Sequence, residues 1–169
     1  MSIFPDDIAA LAQKMISQGT ARGEMVSTAE SCTGGLIAGA LTEIAGSSAV
    51  VDRGFVTYTN EAKADMLGVQ VKTLETFGAV SKETALQMVQ GALLRSRASH
   101  AVAVTGIAGP GGGSAEKPVG LVHLAAMARS GKILHHEMHY GEIGRTEIRL
   151  ATVRTALEML ITLNQAGSA

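Results

Sequence analysis

The sequence predicts an α/β fold, a single domain over residues 1–169 built as a three-layer sandwich with a mixed sheet covered by helices on both faces. Three observations carry this expectation. Helical and strand-like stretches alternate over the first two-thirds of the chain. Two arms, 119–128 and 133–140, then flank Arg129-Ser130-Gly131-Lys132, a hairpin signal that adds antiparallel pairing. Hydrophobic residues make up 46% of 169 positions, enough for a sizeable core.

The elements follow in order. Pro5 suits a first helical turn, and Ile8, Leu11, Ala12, Met15 and Ile16 recur at helical spacing, so residues 5–18 read as a helix. Residues 25–29 read as a short strand, 30–35 as a tight polar turn, and 36–45 as a small apolar helix closed by Gly46. A strand is expected over 54–58. Asn60 is the expected cap of a short helix over 61–67 that Gly68 ends. Ser81 opens the clearest helix, with Ala85, Met88, Val89, Ala92 and Leu93 on one stripe. Residues 101–105 are a continuous apolar strand of the buried kind. A Gly-rich loop over 106–118, the hairpin, and an amphipathic helix over 143–163 complete the chain. Residues 165–169 read as a frayed tail.

Composition excludes several functions. There are 14 Lys and Arg against 15 Asp and Glu, a net of −1, so no basic excess exists to neutralise a phosphate backbone. Three Phe, two Tyr and no Trp leave few rings to stack on bases. Nucleic acid is therefore not the expected partner. A single cysteine rules out an intrachain disulfide, and with it any zinc site built from four cysteines or from paired cysteines and histidines. Residues 1–7 lack a basic leader, and no apolar run reaches the ~18–20 residues of a membrane span. The expectation is a cytoplasmic chain with no membrane partner.

Open α/β sheets bind ligands beyond the carboxyl ends of their strands. Three turns follow strands here, at residues 30–35, 58–63 and 106–118, and are candidates for one shared site. Thr28-Ala29-Glu30-Ser31-Cys32-Thr33-Gly34-Gly35 joins a strand to a helix N-terminus, where N–H groups and the helix dipole suit a phosphate. It reads equally as a cap with glycines for close packing. Cys32 reads as a buried, inert thiol.

Gly46-Ser47-Ser48 precedes Tyr58 and Lys63. Lys63 falls in the first turn of a helix, where the positive dipole disfavours its charge and a neutral amine could serve as base to a serine. The residues alone read more plainly as a solvated lysine offset by Glu61 and Asp65. The loop Gly106-Ile107-Ala108-Gly109-Pro110-Gly111-Gly112-Gly113-Ser114 lets backbone approach a ligand, but it is neither a Walker A loop nor a strict Gly-x-Gly-x-x-Gly. Ser114-Ala115-Glu116-Lys117 spells Ser-x-x-Lys, yet it sits in a loop before Pro118 rather than on the helical turn that motif needs. His135, Glu137 and His139 would share one strand face, which reads as a solvated face rather than a metal site.

The Thr28–Gly35 stretch is similar to one known family, and the similarity extends nearly along the whole chain. It includes Ile44-Ala45-Gly46-Ser47-Ser48, Gly54-Phe55-Val56-Thr57-Tyr58-Thr59-Asn60-Glu61-Ala62-Lys63, Leu67-Gly68-Val69 and Gly78-Ala79-Val80-Ser81. It continues through Thr105-Gly106-Ile107-Ala108-Gly109-Pro110-Gly111-Gly112 and Lys117-Pro118-Val119-Gly120. In these stretches the sequence resembles the CinA C-terminal domain family, which includes the bacterial nicotinamide mononucleotide deamidases called PncC. Larger CinA proteins carry a further N-terminal domain, and this sequence resembles the stand-alone form.

The resemblance implies an amidohydrolase that converts nicotinamide mononucleotide to nicotinate mononucleotide and ammonia, in NAD salvage, with neither cofactor nor metal. It implies Ser48 as nucleophile and Lys63 as base, with Tyr58 between or alongside. Ser31 is the second candidate nucleophile. Glu30, Thr33, Gly34, Thr105, Gly106, Gly109, Gly112 and Arg145 are the expected substrate-binding residues, with Arg145 reading the phosphate or, equally, standing as an ordinary solvated arginine. The partner is then a small nucleotide. A homo-oligomer is a further expectation, from the long hairpin with one apolar arm. The alternative function is a non-catalytic nucleotide-binding or regulatory module tied to competence or DNA damage.

Overall fold

In a computed structural model of the protein, residues 1–165 are described. They form a five-stranded mixed sheet with six α-helices. The chain order is α1 (Asp6–Arg22), β1 (Val26–Glu30), α2 (Leu36–Thr42), β2 (Val51–Val56), α3 (Asn60–Leu67), α4 (Val71–Phe77), α5 (Lys82–Leu94), β3 (His100–Gly106), β4 (Leu121–Ala128), β5 (Ile133–His139) and α6 (Arg145–Gln165). The strand order is β2-β1-β3-β4-β5. β2, β1 and β3 run parallel, while β4 is antiparallel to both β3 and β5.

Alternation along the strands sorts side chains into two cores. Val102, Val104, Val122 and Leu124 face α1, α2 and α6, against Ile8, Met15, Ile37, Leu41, Leu157 and Leu160. Ala29, Ala101, Ala103 and Ala125 face the other way, against Leu67 of α3, Leu74 of α4 and Met88, Val89 and Ala92 of α5. This is the three-layer arrangement that the alternation predicted.

Several element bounds differ from expectation. α1 runs on to Arg22 and ends at Gly23, which adopts the left-handed conformation. α2 stops at Thr42, and a single 3-10 turn, Ser47–Ala49, leads into β2. β2 starts three residues earlier than the sequence suggested. It is a half-exposed edge strand, so it lacks an apolar run, and its Gly54 masks it further. A side chain at Gly54 would press on Thr28 of β1 and Ala38 of α2. α4 was not anticipated, since seven residues with no side-chain cap are too short to show a period. Gln165 belongs to α6 rather than to a tail, and residues 166–169 of that expected tail lie outside the described residues.

The apolar hairpin arm is β4. It is buried between α5 and α6 of its own chain, so the hairpin offers no reason to expect a second copy. No helix among the described residues is long and apolar enough to cross a membrane.

The helix α3 rests on α5 through a backbone contact. A Cβ built on Gly91 would lie 2.0 Å from the carbonyl oxygen of Leu67, the last residue of α3. Gly91→Ala therefore forces the helices apart. We expect a loss of about 2 kcal/mol or more, despite the gain in helix propensity. At about 2–4 °C per kcal/mol this is a fall in Tm of at least several degrees in thermal unfolding.

Candidate active site

The three loops beyond the carboxyl ends of β1, β2 and β3 meet around one cavity of about 270 Å³. Ser31, Tyr58, Lys63, Thr105, Gly106, Gly109, Gly112 and Arg145 all line it. Ser31 is the first residue past β1. Its N–H donates to the Val104 carbonyl (3.1 Å), and the parallel register of Glu30 beside Val104 sets Ser31 next to Thr105. Lys63 reaches it from α3, with Nζ 3.1 Å from Ser31 Oγ.

Lys63 is only 1% exposed, so the structure replaces the solvated lysine with a buried one. Burial holds its pKa below the ordinary lysine value. Desolvation of the amine is the main cause. Its Nζ lies 3.0 Å from the Thr57 carbonyl oxygen and 3.4 Å from that of Tyr58. A neutral amine has two N–H groups and one lone pair. With the two carbonyls accepting the N–H groups, the lone pair is left for the hydroxyl proton of Ser31.

The cap of α3 is Thr59, not Asn60. Thr59 Oγ1 accepts from Ala62 N at 3.0 Å. This leaves the Asn60 amide on the cavity wall one turn before Lys63, a position that sequence reasoning had absorbed into helix capping. Cys32 also lines the cavity, but burial pushes its thiol up to about 12, so it carries no thiolate at neutral pH.

Ser48 lies elsewhere. It is exposed in the 3-10 turn before β2, and Val51 pairs beside Val26 at the start of β1. Ser31 and Lys63 lie beyond the other end of these strands. The five residues of β1 separate the two ends, roughly 16 Å at about 3.3 Å per residue. The expected Ser48–Lys63 pair is not formed. A serine's place in a loop was legible, but not which end of the sheet that loop occupies.

Tyr58 is placed otherwise than expected too. Its side chain is 59% exposed, and its hydroxyl accepts from Arg145 Nη2 at 3.0 Å. Only its backbone carbonyl approaches Lys63. Arg145 Nη1 also donates to the Gly109 carbonyl at 2.8 Å, so this guanidinium joins three parts of the rim.

The anion cradle expected at residues 30–35 is filled by the chain itself. The Glu30 carboxylate is fully buried and accepts from Thr33 Oγ1 (2.6 Å), Ile37 N (2.9 Å), Ala38 N (3.0 Å) and Thr28 Oγ1 (3.3 Å). It caps α2 from behind. Glu30, Thr33 and Gly34, expected as substrate-binding residues, are not on the cavity wall, and the Glu30 carboxylate with the Thr33 hydroxyl supports the turn. Arg149 completes that support by donating to the carbonyls of Cys32 (3.1 Å) and Thr33 (3.0 Å). No local signal marks Arg149, which lies more than a hundred residues downstream. Glu30→Gln sets an amide N–H against backbone N–H groups. We expect a loss of about 2–3 kcal/mol in denaturant unfolding.

Other motifs fall outside the cavity. Ser114 and Lys117 close a small turn, with Lys117 N donating to Ser114 Oγ at 3.0 Å. On β5, Glu137 pairs with His139 at 2.9 Å, while His135 stacks on His123 of β4.

The model of the CinA C-terminal domain matches residues 8–163. The chain belongs to the CinA C-terminal domain family. Within it, the Escherichia coli K12 protein named nicotinamide-nucleotide amidohydrolase PncC is 52% identical over 141 residues, 83% of this chain and 84% of that protein. The CinA-like protein of Endomicrobium trichonymphae is 45% identical over 155 residues, 92% of this chain but 35% of that longer protein. Among solved CinA structures, the competence/damage inducible protein CihA from Agrobacterium tumefaciens has a TM-score of 0.96 at 79% identity. It covers 97% of this chain and 99% of that one.

Proposed function

We propose that this protein hydrolyses the carboxamide of nicotinamide mononucleotide, giving nicotinate mononucleotide and ammonia, with Ser31 as nucleophile and Lys63 as its base. The observation that carries the reading is the buried amine 3.1 Å from a serine hydroxyl on the wall of a cavity. The similarity to a nicotinamide-nucleotide amidohydrolase supports the substrate. The reaction would return a pyridine nucleotide to NAD salvage, in the cytoplasm.

Ser31 Oγ attacks the carboxamide carbon as its proton passes to Lys63 Nζ, and the carbonyl π pair moves onto oxygen. Collapse of this intermediate breaks the C–N bond. Lys63 returns the proton to the leaving nitrogen, which departs as ammonia. Water then attacks the ester on Ser31 by the same route, giving the carboxylate and restoring the hydroxyl. Arg145 supplies the cation for the phosphate at the rim. Its present partners, the Gly109 carbonyl and the Tyr58 hydroxyl, leave its charge unpaired. Thr105 Oγ1 already donates to the Ala79 carbonyl at 2.7 Å, so this hydroxyl has no proton left for substrate.

Incubating the pure protein with nicotinamide mononucleotide and measuring ammonia tests the reading. Stoichiometric release over many turnovers is expected. Binding of the nucleotide with no ammonia would favour a non-catalytic ligand sensor instead.

A further inference from the structure

The short segment between α4 and α5 is held in an unusual way. Three successive carbonyls each accept from side chains of different elements. That of Phe77 accepts from Lys117 Nζ of the Gly-rich loop. That of Gly78 accepts from Ser81 Oγ (3.0 Å) and Thr84 Oγ1 (2.8 Å) at the start of α5. That of Ala79 accepts from Thr105 Oγ1 (2.7 Å) at the end of β3. Main-chain carbonyls in a surface connection are usually left to water. Here the hydroxyls of Thr84 and Thr105, both buried, are spent on fixing two adjacent peptide planes.

Fixing a carbonyl also fixes an N–H, because a trans peptide points the two in opposite directions. The Gly78 carbonyl points to Ser81 and Thr84, neither of which lines the cavity. The N–H of Ala79 on that same peptide therefore leaves the loop on the other side. Ala79 and Val80 both line the cavity, and no hydrogen bond among the described residues engages the Ala79 N–H. The segment also stands on the correct side of the nucleophile. Ser31 has Lys63 of α3 on one flank and Thr105, with the segment it holds, on the other.

We propose that Ala79 supplies a main-chain N–H to the oxygen that becomes negative when Ser31 attacks the carboxamide, that Ser81 and Thr84 fix the peptide plane carrying this N–H, and that Thr105, by anchoring the next plane through the Ala79 carbonyl, is a positioning residue for it. The assignment rests on the reading of Ser31 as nucleophile. The donor is aimed before substrate arrives, so little reorganisation accompanies the charge as it develops. Neither residue exchanges a proton with the substrate.

Two measurements test this. In the first, Thr105→Val removes the hydroxyl at constant shape, and Thr105→Ser restores it. Thr105→Val should lower kcat for nicotinamide mononucleotide on the order of 10–100-fold with KM within threefold, and Thr105→Ser should recover most of the rate. Lys117→Met, which leaves the core untouched, should lower kcat less and in the same direction. A kcat unchanged in Thr105→Val, or a loss confined to KM, overturns the proposal. The second measurement needs no amide substrate. A fluorophosphonate that loses fluoride to Ser31 leaves a phosphonyl oxygen where the carboxamide oxygen would sit. In the 15N-labelled adduct the Ala79 amide proton should move downfield and exchange more slowly with solvent. An unmoved Ala79 signal in a labelled protein overturns the proposal while leaving the serine reading intact. A parent protein that neither releases ammonia nor accepts the phosphonyl group on Ser31 overturns both.

Discussion

Ser31→Ala will lose at least a thousandfold in kcat for nicotinamide mononucleotide, and Ser48→Ala will stay within about twofold of the parent. The contrast follows from placement. Ser31 faces the buried amine of Lys63 at 3.1 Å, whereas Ser48 is exposed at the opposite end of the sheet. The Ser31 hydroxyl contributes little to the core, so the alanine variant should unfold within a few degrees of the parent and still bind the nucleotide. Ammonia release and binding calorimetry on the same preparations check both halves. An active Ser31→Ala would remove this serine from the chemistry.

Lys63→Arg will be inactive to a similar degree, because a guanidinium keeps its proton at any working pH. In the parent, burial lowers the Lys63 pKa. Below that pKa the amine is charged and cannot take the serine proton, so kcat/KM should rise with pH through a value below the ordinary lysine range. Stability carries the same sign. Between the lowered folded pKa and the ordinary unfolded one, the unfolded chain binds more protons, so stability rises with pH across that window. Lys63→Met should be as inactive as Lys63→Arg and should remove this part of the pH dependence of unfolding. A Lys63→Met variant with normal turnover would exclude the lysine from the mechanism.

The layers were legible because they rest on periodicity. The alternation of Val102 and Val104 with Ala101 and Ala103, and the stripe on α5, belong to local sequence. The convergence of three strand-end loops was legible for the same reason, since parallel strands carry their ends to one edge. Most of what stayed hidden depends on long-range contact. Nothing in the residues of α3 announces the burial of Lys63, whose amine meets Ser31 from another strand-end loop. The anion in the turn at residues 30–35 is the turn's own Glu30, a local contact set by how the chain folds back and not by spacing. The choice between Ser31 and Ser48 turned on strand register, which spacing does not reveal.

The Glu30 carboxylate has a consequence for how a nucleotide is captured. It neutralises the positive end of α2 from within, so that helix offers no attraction to an incoming phosphate. Among the residues lining the cavity, Arg145 at the exposed rim is a guanidinium without an anionic partner. Mobile counterions reach such a rim and screen it over about a Debye length, roughly 8 Å at physiological ionic strength. They do not reach the buried pair of Ser31 and Lys63. With the proposed roles of Arg145 and of the Ser31–Lys63 pair, capture and chemistry answer to different solution variables: ionic strength governs the first, and proton concentration the second.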